Sequence, residues 1–276
     1  MDPVDKIVKI ALTEDACLED VTSRAILPPS LFAEAKITAR QRLVLSGSLP
    51  ATRAFDMIDP AVSVDFDIDD GAEASDGAVI AELSGPAVSI LAGERVALNL
   101  LQQLSGVATL TRRFCDAIKG TSAKIVDTRK TVPGMRWLQK QAVVHGGGSN
   151  HRMSLADGVL IKDNHIAMAG SITNAVESAK RRAHHLLSVE VEVESLGGVR
   201  EALEAGADAI LLDNMASEMI ADAVKLIDGR ATVEASGNIT LENVLEVAEA
   251  GVDLISIGRL THSASACDIS MDFAQP

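Results

Sequence analysis

The sequence predicts an α/β protein: about a hundred residues of mixed α+β structure followed by an α/β barrel. Three observations carry this. Period-two runs punctuate the first hundred residues, short β-rich runs then alternate with helical segments, and nearly every later β-rich run ends in polar residues.

Taken in order, Lys36–Ser46 and Val62–Ile68 alternate apolar and polar residues as half-buried strands do. The turns DDG and SDG, then GAVIAELSG, suggest a further strand between Gly-bearing turns. From Ser89 to Ile118 the spacing is helical, and Gly106 marks either a break, and so a domain hinge, or a close approach. Six β-rich runs follow at Ala123–Thr128, Gly158–Lys162, Val189–Val193, Ala209–Leu212, Ala231–Val233 and Leu254–Ile257. Helical spacing fills most intervals: Arg136–Val144, Ile172–His185, Gly198–Ala205, Ser217–Ile227 and Leu241–Ala250. Such alternation implies parallel strands with right-handed crossovers, in a barrel or an open doubly wound sheet. VEVEV departs from the continuous apolar strand of a sheet covered on both faces.

The strand ends favour the barrel. They read Asp127-Thr128-Arg129-Lys130, Lys162-Asp163-Asn164-His165, Glu192 and Glu194, Asp213-Asn214, Glu234 through Asn238, and Gly258-Arg259. A barrel brings all of its strand ends to one mouth, whereas an open sheet converges only those near its switch point.

Composition narrows the function. The 276 residues carry a net charge of −14, contrary to the basic footprint of nucleic-acid binding, and aromatics are 2 % with no Tyr, so stacking platforms are missing too. Lys124–Lys162 nevertheless holds seven basic residues (Lys124, Arg129, Lys130, Arg136, Lys140, Arg152, Lys162) against Asp127 and Asp157, a local balance of +5. No stretch reaches the roughly 20 apolar residues of a membrane span. The acid-rich N-terminus is unlike a targeting peptide, and Cys17, Cys115 and Cys267 match no metal or redox spacing. A cytoplasmic location is the expectation.

Sorted by charge, the mouth offers Arg129, Lys130, His151, Arg152, Lys162 and His165 on one side, with Glu192 and Asp213 on the other. Guanidinium forks and ammonium groups suit a substrate with several carboxylates or phosphates. Two carboxylates on neighbouring strands suit a divalent ion such as Mg²⁺ that shares its shell with phosphates. Ser236-Gly237-Asn238 and Gly258 are small residues able to turn backbone N–H groups toward a phosphate. Glu190, Glu192 and Glu194 share one strand face, which either lines the mouth or is solvated. His184 and His185 are given no role.

The stretch DTRKTVPGMRWLQKQAVVHGGGSNHRMSLADGVLIKDNHIA (127–167) resembles the quinolinate phosphoribosyltransferase family, supported by AGERVALNLLQQLSGVAT, VEVEVESL, GADAILLDN, EASGNITLENV and GVDLISIGRLTHS. The resemblance implies an N-terminal α+β sandwich-like domain (1–106, joined by the tail 264–276) and an incomplete, TIM-like α/β barrel (107–263). It implies homodimers or larger assemblies up to hexamers, Mg²⁺ as cofactor, and phosphoribosyl transfer to quinolinate with decarboxylation. Arg129, Lys130, His151, Arg152 and Lys162 would bind quinolinate, with Arg95 arriving from the other subunit. Glu192 and Asp213 would hold Mg²⁺ and the phosphoribosyl group; Ser236, Gly237, Asn238 and Gly258 would bind phosphate. Lys130, Lys162, Glu192 and Asp213 would carry the catalysis. Glu19, His145 and Arg259 depart from the family's usual residues. The alternatives are a molybdenum-locus paralogue, which generally lacks the intact cationic motifs, and a non-catalytic barrel binding an anionic metabolite.

Overall fold

Asp2 opens the structure as a helix cap, its carboxylate accepting the Val4 N–H at 2.7 Å, with Pro3 at the first helical position. The computed structural model describes residues 2–274. Helix α1 (Pro3–Glu14) buries Val4 and Val8 and packs against the helix Ser48–Ile58; α2 (Val21–Ile26) is capped in the same way by Asp20. Strand β1 (Phe32–Ala39) begins before the period-two run expected at Lys36 and ends within it. The rest of that run becomes β2 (Leu43–Val44), a strand of a different sheet. On either side of the division Arg40 pairs with Asp272 and Arg42 with Glu73, two exposed ion pairs to separate partners.

Helix α3 (Ser48–Ile58), β3 (Ser63–Phe66), β4 (Glu73–Ala74) and β5 (Val79–Pro86) follow. Helix α4 (Ala87–Ala117) then runs 31 residues without interruption. Gly106 therefore marks a close approach and not a hinge: a Cβ there would lie 2.1 Å from the Ser265 carbonyl oxygen.

The β/α alternation comprises β6 (Lys124–Val126), α5 (Arg136–His145), β7 (Val159–Ile161), α6 (Asp163–Ala169), α7 (Ile172–Arg182), β8 (Val189–Val193), α8 (Leu196–Glu204), β9 (Ala209–Asp213), α9 (Ser217–Ile227), β10 (Thr232–Ser236), α10 (Val244–Glu249), β11 (Leu254–Ser256) and α11 (Arg259–His262). Strands β6 to β11 form one parallel sheet in the order β6-β11-β10-β9-β8-β7. The first strand lying beside the last is barrel-like curling; an open doubly wound sheet would start near its middle. Among the described residues no ladder joins β6 to β7, so the barrel is incomplete. One face of the sheet is sealed by apolar side chains: Val191, Ile210, Leu212, Ala235 and Ile255 are fully buried, and α8, α9 and α10 bury Val199, Ala223 and Val244. Strand β12 (Ile269–Phe273) then pairs antiparallel with β1, completing the sheet β12-β1-β5-β3.

Two compact units result. One comprises Met1–Arg112, Thr131–Gly147 and Leu260–Pro276; the other comprises Arg113–Lys130 and Gly148–Arg259. The division falls within α4, later than residue 106, and α5 groups with the antiparallel sheet although its sequence lies between two barrel strands. Among the described residues no helix is long and apolar enough to cross a membrane.

Candidate active site

Parallel pairing puts directly opposed residues on one face, and the side-chain period of two keeps them there. Glu192 pairs with Leu211 and Leu211 with Glu234; Asp213 pairs with Ser236 and Ser236 with Ser256. All six line one cavity of about 430 Å³, joined by Leu160 and Lys162 of the β7 segment. Thr128, Arg129 and Lys130 enter from the end of β6, and His151 and Arg152 from the connection before β7. The mouth expected from the strand ends is therefore present within the barrel unit.

Its charges are arranged unequally. Burial, and then the neighbouring Arg129 charge, lowers the Arg152 guanidinium below its ordinary value. Two cations held against desolvation and mutual repulsion mark an anion site. Arg152 is fixed by an Nη1 bond to the Gly158 carbonyl at 3.0 Å. Lys162 Nζ pairs with Glu192 Oε2 across adjacent strands. Asp213 accepts from Asn214 Nδ2 at 2.7 Å, and the same carboxamide accepts from Asn238 Nδ2 at 3.0 Å. Asn214 and Asn238 both adopt left-handed backbone, φ 54° and 52°, so this polar ladder is held in a costly conformation.

His151 lies on the floor of the cavity. Its backbone N–H donates to the buried Asp127 carboxylate at 3.0 Å, and its Nδ1 accepts the Arg152 N–H at 2.7 Å. Its Nε2 lies 3.2 Å from Glu190 and 3.4 Å from Glu234, whose hydrogen bonds raise the imidazole pKa to about 10. Both acids therefore face the Nε2–H of the ring.

Eight of the twelve site residues expected from the resemblance line this cavity: Arg129, Lys130, His151, Arg152, Lys162, Glu192, Asp213 and Ser236. Gly237, Asn238 and Gly258 follow the ends of β10 and β11 just beyond the lining. Arg95 is exposed on α4 and lies outside the lining of its own chain's cavity. His165 is outside it as well, its Nδ1 accepting the Lys162 N–H at the start of α6. Glu194 falls beyond the end of β8 and is exposed, so the expected three-acid face reduces to Glu190 and Glu192. Sequence reasoning gave Glu190 and Glu234 no individual role; the signal was an acid at alternate positions of strands whose other face is apolar.

Fold and site together define an α/β-barrel protein whose strand-end cavity suits a small polyanion beside a carboxylate pair. Residues 20–105 match the N-terminal domain, and residues 107–272 the C-terminal domain, of quinolinate phosphoribosyl transferase. The chain belongs to that family. It is 44 % identical over 267 residues to the probable nicotinate-nucleotide pyrophosphorylase [carboxylating] of Bacillus subtilis, covering 97 % of this chain and 92 % of that one. The chloroplastic nicotinate-nucleotide pyrophosphorylase [carboxylating] of Arabidopsis thaliana is 43 % identical, with 96 % and 81 % covered. The solved nicotinate-nucleotide pyrophosphorylase of Francisella tularensis superposes with a TM-score of 0.94 at 37 % identity, covering 99 % of this chain and 96 % of that chain.

Proposed function

We propose that this chain transfers the phosphoribosyl group of phosphoribosyl pyrophosphate to the ring nitrogen of quinolinate, with loss of CO₂, giving nicotinate mononucleotide and pyrophosphate. The observation that carries the reading is the cation set Arg129, Lys130, Arg152 and Lys162 facing Glu192 and Asp213 in one cavity. The family membership and near full-length identity to enzymes named for this reaction support it.

Arg129 and Arg152 are the forks for the two quinolinate carboxylates, and Lys130 and Lys162 add point charges that orient the ring and offset charge on the departing pyrophosphate. As the C–O bond to pyrophosphate breaks, positive charge grows on the ribose; the Glu192 and Asp213 carboxylates favour it electrostatically. Holding both reactants in line supplies much of the remaining acceleration. The new N–C bond makes the pyridine cationic, so the electron pair left by departing CO₂ is stabilised at the adjacent ring carbon, which then takes a proton. Ser236, Gly237, Asn238 and Gly258 are the phosphate-side contacts.

Glu192 and Asp213 present hard oxygen donors from adjacent strands on the cavity face, a donor set that fits Mg²⁺. When bound there, the ion supplies charge neutralisation for the pyrophosphate. Assembly as a homodimer, with Arg95 completing the partner's cavity, is supported by that arginine's exposure and its place outside its own cavity's lining. A cytoplasmic location is supported by Cys17 and Cys267, buried thiols outside any disulfide.

Purified protein given quinolinate, phosphoribosyl pyrophosphate and Mg²⁺ should consume quinolinate and release CO₂ in equal amounts. Binding of quinolinate without turnover would favour the non-catalytic barrel instead.

A further inference from the structure

Two buried glutamates, Glu234 in the cavity lining and Glu190 outside it, have no part in the scheme above. Glu234 is 1 % exposed and Glu190 9 %, on strands β10 and β8. Neither carboxylate oxygen of Glu234 has a hydrogen bond of good geometry, yet its Oε2 lies 3.4 Å from His151 Nε2. A buried carboxylate without a strong partner is expensive, and two beside each other more so. The one group both face is the His151 ring. That ring in turn accepts the Arg152 N–H, while the buried Asp127 holds the His151 N–H. Both ring nitrogens are thus directed at the protein, and the next residue along is the guanidinium that enters the cavity.

We infer that Glu190 and Glu234 are positioning residues: they clamp the His151 ring as a strut that sets the backbone at Arg152 and so aims its guanidinium at the quinolinate carboxylate. The inference rests on the proposed transferase reading for the identity of that carboxylate. The groups facing the ring are Glu190 from β8, Glu234 from β10, and Asp127 and Arg152 through the backbone; Arg129 lines the same cavity. The pKa of about 10 agrees with a ring gripped by two acids.

The test compares wild type with Glu234→Gln and Glu190→Gln, using ¹⁵N-histidine NMR, steady-state kinetics and metal analysis. In wild type the His151 resonances should stay constant from about pH 6 to 8.5, a range that contains the ordinary histidine value of about 6.5. In either variant they should titrate within that range. The KM for quinolinate should rise roughly tenfold while the KM for phosphoribosyl pyrophosphate and kcat change by less than about twofold, the pattern of lost binding and not of lost chemistry. The wild-type spectrum keeps the test decisive should a variant fail to fold: a His151 ring that titrates freely near neutral pH overturns the clamp. Variants with unchanged quinolinate KM overturn it too, as does one equivalent of zinc in the purified protein that Glu234→Gln removes, since the acids would then serve a metal. Wild-type turnover separates the two ideas. An enzyme that turns over quinolinate with indifferent variants refutes the clamp alone, whereas a gripped ring in a protein that ignores quinolinate refutes the transferase reading alone.

Discussion

Replacing Gly237 by alanine should damage the phosphate side of the cavity while leaving the quinolinate side intact. Gly237 has φ +89°, and a Cβ there would lie 2.2 Å from Asn214 Oδ1 and 2.9 Å from the Asn214 backbone nitrogen. Ordinary contact requires the carboxamide to retreat by about 1 Å, against a closest normal approach of roughly 3.2 Å. That carboxamide holds Asp213 at 2.7 Å and accepts Asn238 at 3.0 Å. Losing two such bonds costs about 1 kcal/mol each, and left-handed backbone costs an L-residue about 1–2 kcal/mol. The total is about 3–4 kcal/mol, of which only the part displacing Asp213 reaches the transition state. At about 1.4 kcal/mol per tenfold, kcat/KM for phosphoribosyl pyrophosphate should fall roughly 10- to 100-fold. Steady-state kinetics measures this, and titration calorimetry should find quinolinate affinity within about twofold of wild type. A variant with wild-type kcat/KM would refute the idea that Asn214 positions Asp213; equal losses on both substrates would show a general collapse in its place.

Four further outcomes follow from the same geometry. Gly106→Ala should lower the melting temperature in calorimetry, because overpacking against the Ser265 carbonyl costs about 1–3 kcal/mol and exceeds the gain of about 1 kcal/mol in helix propensity; a more stable variant would show that the 265–266 backbone yields freely. Arg129→Ala and Arg152→Ala should each weaken quinolinate binding by about 2–5 kcal/mol and phosphoribosyl pyrophosphate binding far less, and a calorimetric change under about threefold in both would remove them from the carboxylate site. Glu192→Gln and Asp213→Asn should keep the fold, reduce Mg²⁺-dependent turnover and couple in a double-mutant cycle; additive losses would mean separate sites. Finally, inactive Arg95→Ala and Lys162→Ala subunits, mixed with verified exchange, should regain roughly a quarter of wild-type sites by two-fold symmetry, and a mixture as dead as its parents would place Arg95 in its own chain's chemistry.

The barrel was the more legible half of the chain because each of its strands runs into polar residues before the next helix. Period and polarity there report the same boundary twice. The N-terminal half was harder. Helices α1 and α3 went unread, and β1 and β2 read as one strand because alternation continues through Arg40 and Arg42, whose different ion partners are remote in sequence. Helix α6 was hidden because Asp163-Asn164-His165 reads equally well as a strand-end signature and as a first helical turn. At the site, the cations were legible from their local excess over a −14 background. Glu190 was not, because VEVEV fits a solvated edge as readily as a strand with valines against helices and glutamates in a cavity. Only the burial of both faces decides between them.

The unpaired seam between β6 and β7 also distributes rigidity within the site. Glu192, Asp213, Glu234 and Ser236 stand on strands laddered on both sides. Arg129 and Lys130 follow one seam strand and Lys162 follows the other, with His151 and Arg152 in the connection between them, tied to β6 by the bridge from Val126 to Ser149 and the bond from His151 N–H to Asp127. Backbone with few shared hydrogen bonds opens at low cost, and laddered backbone does not. The acid jaw is therefore held by ladders on both sides, and the basic jaw by side chains: Asp127 on His151, the Gly158 carbonyl on Arg152 and Glu192 on Lys162. Geometry in the one jaw is written into the sheet and in the other into single contacts, so point substitutions can shift the cationic wall and leave the acids where they stand.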